Sequence, residues 1–146
     1  MRLRIAIAAV LVAMLFEFAF TPIEGVSAET RPGTFDCELD LTGPTDSFLI
    51  SCADGNEELY KITWSYWTSK GALGRGFYVF NDCTPSCVSG AIHKFPAIVQ
   101  LRQLRSYRGK AHLTHLLWWQ IDARGKRIDH GYSGEIDLWK QFLSMH

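Results

Sequence analysis

The residues best placed to do chemistry lie in N-D-C-T-P-S-C-V-S-G, Asn81 to Gly90, where two cysteines flank a T-P-S triplet. Haem attachment needs C-x-x-C-H, and here the spacing is C-x-x-x-C with Val88 next. A thioredoxin-type dithiol needs C-x-x-C, opening a helix. Asn81-Asp82 before and Val88-Ser89-Gly90 after are turn signals instead. Structural zinc takes four convergent thiolate or imidazole ligands, and His93 has no second C-x₂-C or H-x₃-H partner in the chain. What remains is a covalent staple.

The four cysteines are Cys37, Cys52, Cys83 and Cys87, an even count of the kind that forms a disulfide framework in exported chains. Four cysteines allow three pairings. The expected set is Cys83–Cys87, clamping a turn built on Pro85, with Cys37–Cys52 closing a loop of about fifteen residues. A bridge from Cys52 to Cys83 or Cys87 is its rival. Loop-closure entropy would contribute ~3 kcal/mol for the longer bridge and roughly 2 for the shorter.

Other reactive types fall into ordinary roles. H-L-T-H places His112 and His115 on opposite faces of a strand, so they cannot share a metal. D-G-N-E-E, Asp54 to Glu58, lacks the spaced ligands of a calcium loop and reads as a polar turn. There is no G-x-S-x-G. Glu135 and Asp137 form a carboxylate pair, but spacing in one chain does not define a glycosidase dyad. Asp122 and Asp129, beside Arg124, Lys126 and Arg127, read as surface charge. No catalytic residue, metal or cofactor is expected.

Two features suit binding. The first is R-Q-L-R-S-Y-R-G-K, the densest basic stretch, with Arg102, Arg105, Arg108 and Lys110 around Tyr107. As a hairpin, Arg102 and Lys110 would flank its turn and Arg105 and Arg108 its tip, positioned for phosphate or sulfate groups. The same charges could instead serve only to protect a strand edge from aggregation. The second is a set of five tryptophans, Trp64, Trp67, Trp118, Trp119 and Trp139. Sugars stack on such rings, yet a small β domain needs them for its core. Trp118 and Trp119 are adjacent, so on a strand one of them is less buried.

The elements carrying these residues read as short antiparallel strands between turns. S-F-L-I-S-C (Ser47 to Cys52) is one. In L-Y-K-I-T-W-S-Y-W, Tyr60, Ile62, Trp64 and Tyr66 would share a face. G-F-Y-V-F runs into the Asn81 turn. Phe95, Ala97, Val99 and Leu101 alternate with Ile98, Gln100 and Arg102. Leu113, His115, Leu117, Trp119 and Ile121 form another alternating set. S-Y-R-G-K and D-A-R-G-K are connections. Ile136, Trp139 and Phe142 have helical spacing, so the tail is expected to be a short helix, with a last strand as the alternative. The fold class is all-β, a small antiparallel sandwich or partly open barrel.

The N-terminus carries Arg2 and Arg4, an apolar run from Ile5 to Phe20 interrupted by Glu17, and V-S-A at Val26 to Ala28. This is a secretory signal pattern, and Glu17 leaves the run short of the ~20 residues of a membrane span. Residues 1–28 are therefore read as the signal and 29–146 as a single disulfide-stapled domain without a membrane anchor. E-T-R-P-G-T after the signal is expected to be loose.

Net charge is zero but segregated. Residues 29–58 hold eight acidic and one basic residue, while 59–127 hold eleven basic and two acidic. Either the acidic segment folds back on the basic body, or the body presents a basic face to a polyanion.

C-A-D-G-N (Cys52 to Asn56), W-S-Y-W (Trp64 to Trp67), A-L-G-R-G (Ala72 to Gly76), N-D-C-T-P-S-C-V-S-G and P-A-I-V-Q-L (Pro96 to Leu101) follow one another along the chain. In this order the chain resembles a group of small secreted actinobacterial proteins of no established activity. The resemblance spans Cys52 to Leu101 and implies export and a β fold. It implies no catalytic residue, and the Trp118-Trp119 tail departs from it.

The expected function is non-enzymatic binding at or outside the cell envelope. The partner would be an anionic envelope polymer, lipid head groups or an extracellular protein, and not nucleic acid. The alternative is inhibition of an extracellular protease through the clamped loop Thr84-Pro85-Ser86, whose preorganisation lowers the entropy cost of binding. Sequencing the N-terminus of the exported protein should read E-T-R-P, starting at Glu29; an intact Met1 on the exported protein would refute the cleavage.

Overall fold

The computed structural model describes residues 31–146; the expected signal and cleavage site lie outside the described residues. Eight strands form one sheet: β1 (Gly33–Asp36), β2 (Leu39–Leu41), β3 (Phe48–Leu49), β4 (Glu57–Thr68), β5 (Gly71–Asn81), β6 (Ile92–Tyr107), β7 (Lys110–Gln120) and β8 (Ser133–Asp137). A short helix, α1 (Leu138–Ser144), ends the chain. The order across the sheet is β2-β1-β7-β6-β5-β4-β3, with β8 also on β7. The fold is all-β as expected, in an open form: one sheet that does not close into a barrel.

The centre is a meander, β4 to β7. β5 and β6 pair without a register break from Ala72↔Leu101 to Asn81↔Ile92. Period two works on β6: Ala97, Val99 and Leu101 are fully buried. It fails on β4, where the register shifts between Tyr60 and Thr63 and again between Trp64 and Tyr66. Each shift inserts an extra residue and resets which side chains face inward. The buried set is therefore Leu59, Ile62 and Trp67 with Trp64 packed beside them, and Tyr66 points to solvent. Gly74 lies opposite this irregular stretch because a Cβ there would stand 2.8 Å from the Trp64 ring. On β7 the core takes Leu113, Leu116 and Trp118, not the single alternating set expected from Leu113 to Ile121.

From Pro32 on, the segment expected to be loose is instead the start of the sheet. Pro32 and Gly33 to Phe35 are buried. β1 runs parallel to β7, Gly33 against His112 and Thr34 against Leu113, and β8 takes the rest of that edge, from His115↔Asp137 to Trp119↔Ser133. The Thr34 hydroxyl donates to Leu113 O at 2.9 Å.

The bridges are Cys37–Cys52 and Cys83–Cys87, the expected pairing, and no free cysteine occurs among the described residues. Cys37 follows β1 and Cys52 follows β3, which lie near opposite ends of the strand order. The sheet must therefore curl until these ends meet. Leu49 N donates to Asp36 Oδ1 at 3.0 Å and Trp67 Nε1 donates to Pro32 O at 2.7 Å across the same join. Burial raises the Asp36 carboxyl above its ordinary range, and the Leu49 N–H partly offsets this.

The tail is both strand and helix. Asp137 ends β8 and caps α1, its carboxylate accepting from Lys140 N. Leu138 and Phe142 are buried, and Phe142 stacks on Phe35 with centroids 4.5 Å apart.

Tyr78 gives this core a pH signature. Burial, reinforced by the Glu57 carboxylate beside it, pushes the Tyr78 hydroxyl from 10.0 up to about 12. Below the lower value the hydroxyl is neutral in both folded and unfolded chains. Between the two values the unfolded tyrosine ionises first, so stability falls as pH rises. Alkaline unfolding curves should show this loss, and Tyr78→Phe should flatten it.

Candidate functional site

The clamped loop is an exposed knob. Thr84, Pro85 and Ser86 are exposed, and the loop is bonded to itself. Asn81 Nδ2 donates to Cys87 O at 2.7 Å, and Asn81 Oδ1 accepts from Cys83 N at 2.9 Å. Asp82 accepts from Thr84 N and Ala91 N and contacts His93 Nε2 at 2.9 Å. These contacts hold the Asp82 carboxyl below its ordinary range, the His93 contact most of all. The backbone from Thr84 to Ser89 makes bends and turns, with no extended stretch.

The basic hairpin forms as expected at its tip. Tyr107 pairs with Lys110, leaving Arg108 and Gly109 as a two-residue turn with φ of 48° and 76°. Positive φ at both turn positions matches the twist of the flanking strands, and glycine takes it without steric cost. Arg102, Arg105, Arg108 and Lys110 are all exposed. They do not form one patch. Arg105 pairs with His112 and Arg102 with His115, and these histidines lie on opposite faces of β7. Arg105, Arg108 and Lys110 gather at the tip, while Arg102 stands apart on the other face of the sheet. The acidic segment does not cover them: among the described residues the ion pairs are His93–Asp82, His112–Asp40, His115–Glu135 and Lys140–Asp137.

Arg102 belongs to a second constellation, a shallow cleft of about 380 Å³ over β6, β7 and β8. Cross-strand register places its lining: Trp119 beside Ser133, Gln100 with Leu117 and Glu135, and Arg102 at the end. Residues two apart on each strand share a face, so these rows align. Arg127, from the loop before β8, stands with its guanidinium 5.8 Å from the Trp119 ring centroid. His115 Nε2 lies 3.5 Å from Glu135 Oε2, and the Glu135 side chain is 71% exposed. Trp118 is buried, and its neighbour Trp119 is the half-exposed member of the pair. Sequence reasoning flagged Arg102 and the tryptophan pair. It read Arg127 as surface charge and weighed Glu135 only as half of a carboxylate pair with Asp137, because β8 brings Glu135 across to Gln100 and Leu117 only in three dimensions.

Behind the hairpin, a cavity of about 410 Å³ has Arg31, Lys110 and His112 in its wall. The His112 side chain is fully buried, with Nε2 2.7 Å from Asp40 Oδ1 and Nδ1 3.1 Å from Lys110 O. Both neighbours are acceptors, so whichever ring nitrogen carries the hydrogen has a partner. The ring stacks on Phe35 at 4.6 Å. This contact ties edge strand β2 to β7 across β1.

Among the described residues no group of His, Cys, Asp and Glu could hold a metal ion, and no helix is long and apolar enough to cross a membrane. Comparison with protein-family models, with curated proteins and with solved structures returns no match for this chain.

The Asp40–His112 contact should be measurable. Asp40→Ala leaves a buried imidazole short of an acceptor and should cost about 1–3 kcal/mol in denaturant unfolding. Glu38→Ala, at an exposed site on the preceding turn, should stay within about 0.5 kcal/mol of wild type. Equal effects would remove the structural role assigned to His112.

Proposed function

We propose that this is a secreted, non-enzymatic β domain that binds an anionic polymer at or outside the cell envelope. The observation that carries the reading is the unpaired hairpin tip. Arg105, Arg108 and Lys110 are exposed together, and no carboxylate among the described residues forms an ion pair with them. Three acids of the N-terminal segment have other partners. Asp36 accepts from Leu49, Asp40 meets His112, and Asp54 accepts from Ser51 and Asn56. Three exposed cations thus stand together at the tip without a paired carboxylate among the described residues, and such a cluster attracts anions. Two disulfides suit the oxidising surroundings that export provides.

The alternative, protease inhibition through Thr84-Pro85-Ser86, draws support from the loop's exposure and covalent clamp. Its turn conformation weighs against it, because a substrate-like inhibitor presents an extended segment to a protease.

Binding through the tip is electrostatic and should be steeply salt-dependent, since screening shortens to about 8 Å at physiological ionic strength. Wild type should be retained on an anionic resin at low salt and released as salt rises. Arg105→Ser with Arg108→Ser should elute markedly earlier. If wild type and the double variant elute alike, the tip is only solvated charge.

A further inference from the structure

We infer that the cleft over β6, β7 and β8 is a binding site for an acidic oligosaccharide in which hydroxylated, uncharged units separate the acid groups. The inference rests on the reading of this chain as a binder of anionic polymer and adds a second, chemically selective site to the hairpin tip.

The order of chemical types along the cleft carries it. Arg102 stands at one end, Glu135 in the middle row, and Trp119 with Arg127 at the other end. Rows two residues apart on a strand are separated by about 7 Å, so the end rows are about 14 Å apart, longer than one sugar ring. The charge sequence is positive, negative, positive. A polyphosphate or uniformly sulfated chain would meet Glu135 with like charge and offer it no donor. Glu135 is acceptor-only when ionised, and with 71% of its side chain exposed it calls for donor hydroxyls on the ligand. Gln100 and Ser133, which line the same cleft, can both donate and accept, as hydroxyl recognition requires.

Trp119 supplies the remaining element. Its ring is partly exposed at the cleft, where the C–H groups of a sugar can meet it beside Arg127. The Arg127 guanidinium, 5.8 Å from the ring centroid, stands near enough for a ligand carboxylate to meet cation and ring together. Guanidinium binds carboxylate through two parallel hydrogen bonds, and Arg102 offers the same fork at the far end. The lining counts two cations and one carboxylate, so the cleft has a small positive excess and suits a sparsely charged ligand. Its shallow, open shape admits a segment of a longer chain.

The test uses the mature chain and three probes. These are a hexasaccharide alternating glucuronate with N-acetylglucosamine, the uncharged N-acetylglucosamine hexamer, and inorganic tripolyphosphate. Calorimetry should show wild type binding the alternating acid at least tenfold more tightly than the neutral hexamer. Trp119→Ala and Arg127→Gln should each weaken that binding by tenfold or more while their thermal unfolding stays near wild type. Lys70→Ser, at an exposed turn outside the cleft lining, should leave it within about threefold. Tripolyphosphate should not displace the hexasaccharide from wild type. Absence of hexasaccharide binding, an unchanged affinity in Arg127→Gln, or displacement by tripolyphosphate would each overturn the inference. Retention of wild type on the anionic resin decides the hairpin reading separately, so either can fail alone.

Discussion

The structure depends on the join between the ends of its curled sheet. A strand order that runs from β2 to β3 leaves two open edges, and a flat sheet of this size would expose its apolar face. The Cys37–Cys52 bridge, the Leu49 N–H on Asp36 and the Trp67 indole on Pro32 O draw the ends together without a ladder between them. Once curled, one face wraps around Phe35, Phe48, Leu59, Val99, Leu101 and Leu116. Helix α1 closes the mouth by laying Phe142 on Phe35. The bridge closes a loop of 15 residues and limits the unfolded chain by ~3 kcal/mol. Its position does as much as its entropy, because it fixes which edges meet.

Curling sets the two faces apart. The concave face is committed to packing, so polar recognition is left to the convex face and the hairpin tip. The central strands carry both, which is why the cleft residues come from β6, β7 and β8. Strands paired on both sides present Arg102 and Trp119, while Arg127 comes from a loop tied by Asp122 Oδ1 to Arg124 N and Lys126 N. Sites held by packed strands keep their geometry without a ligand, and that lowers the entropy cost of occupying them.

What the sequence made legible was local. Cysteine spacing favoured the observed pairing over its rival, Arg108-Gly109 marked its turn, and Ala97, Val99 and Leu101 of β6 face the core at period two. The failures were places where a distant strand decided. Two register shifts in β4 moved the inward set from Tyr60, Ile62, Trp64 and Tyr66 to Leu59, Ile62, Trp64 and Trp67. Nothing near Lys61 announces the first of them, though a non-glycine residue at φ 52° is its backbone mark. Pro32-Gly33 reads as a loose end, and only a parallel partner far along the chain makes it a strand. In the candidate site, Arg102 and Trp119 could be singled out by type. Glu135 and Arg127 could not, since their meaning lies in which rows they join.

The parallel placement of β1 sets a timetable for the chain. Thr34 bonds Leu113, 79 residues further along, whereas β4 to β7 are linked by neighbouring hairpins. Contacts of such separation form late, because the intervening chain must first be ordered. The first strand to be synthesised is thus expected to be the last fixed in the sheet, waiting on β7 while the meander assembles by itself. During that interval β7 offers a bare edge and Cys37 has no fixed partner. Correct oxidation then follows from arrival of β1 at β7, so the tertiary structure selects the bridge that holds it.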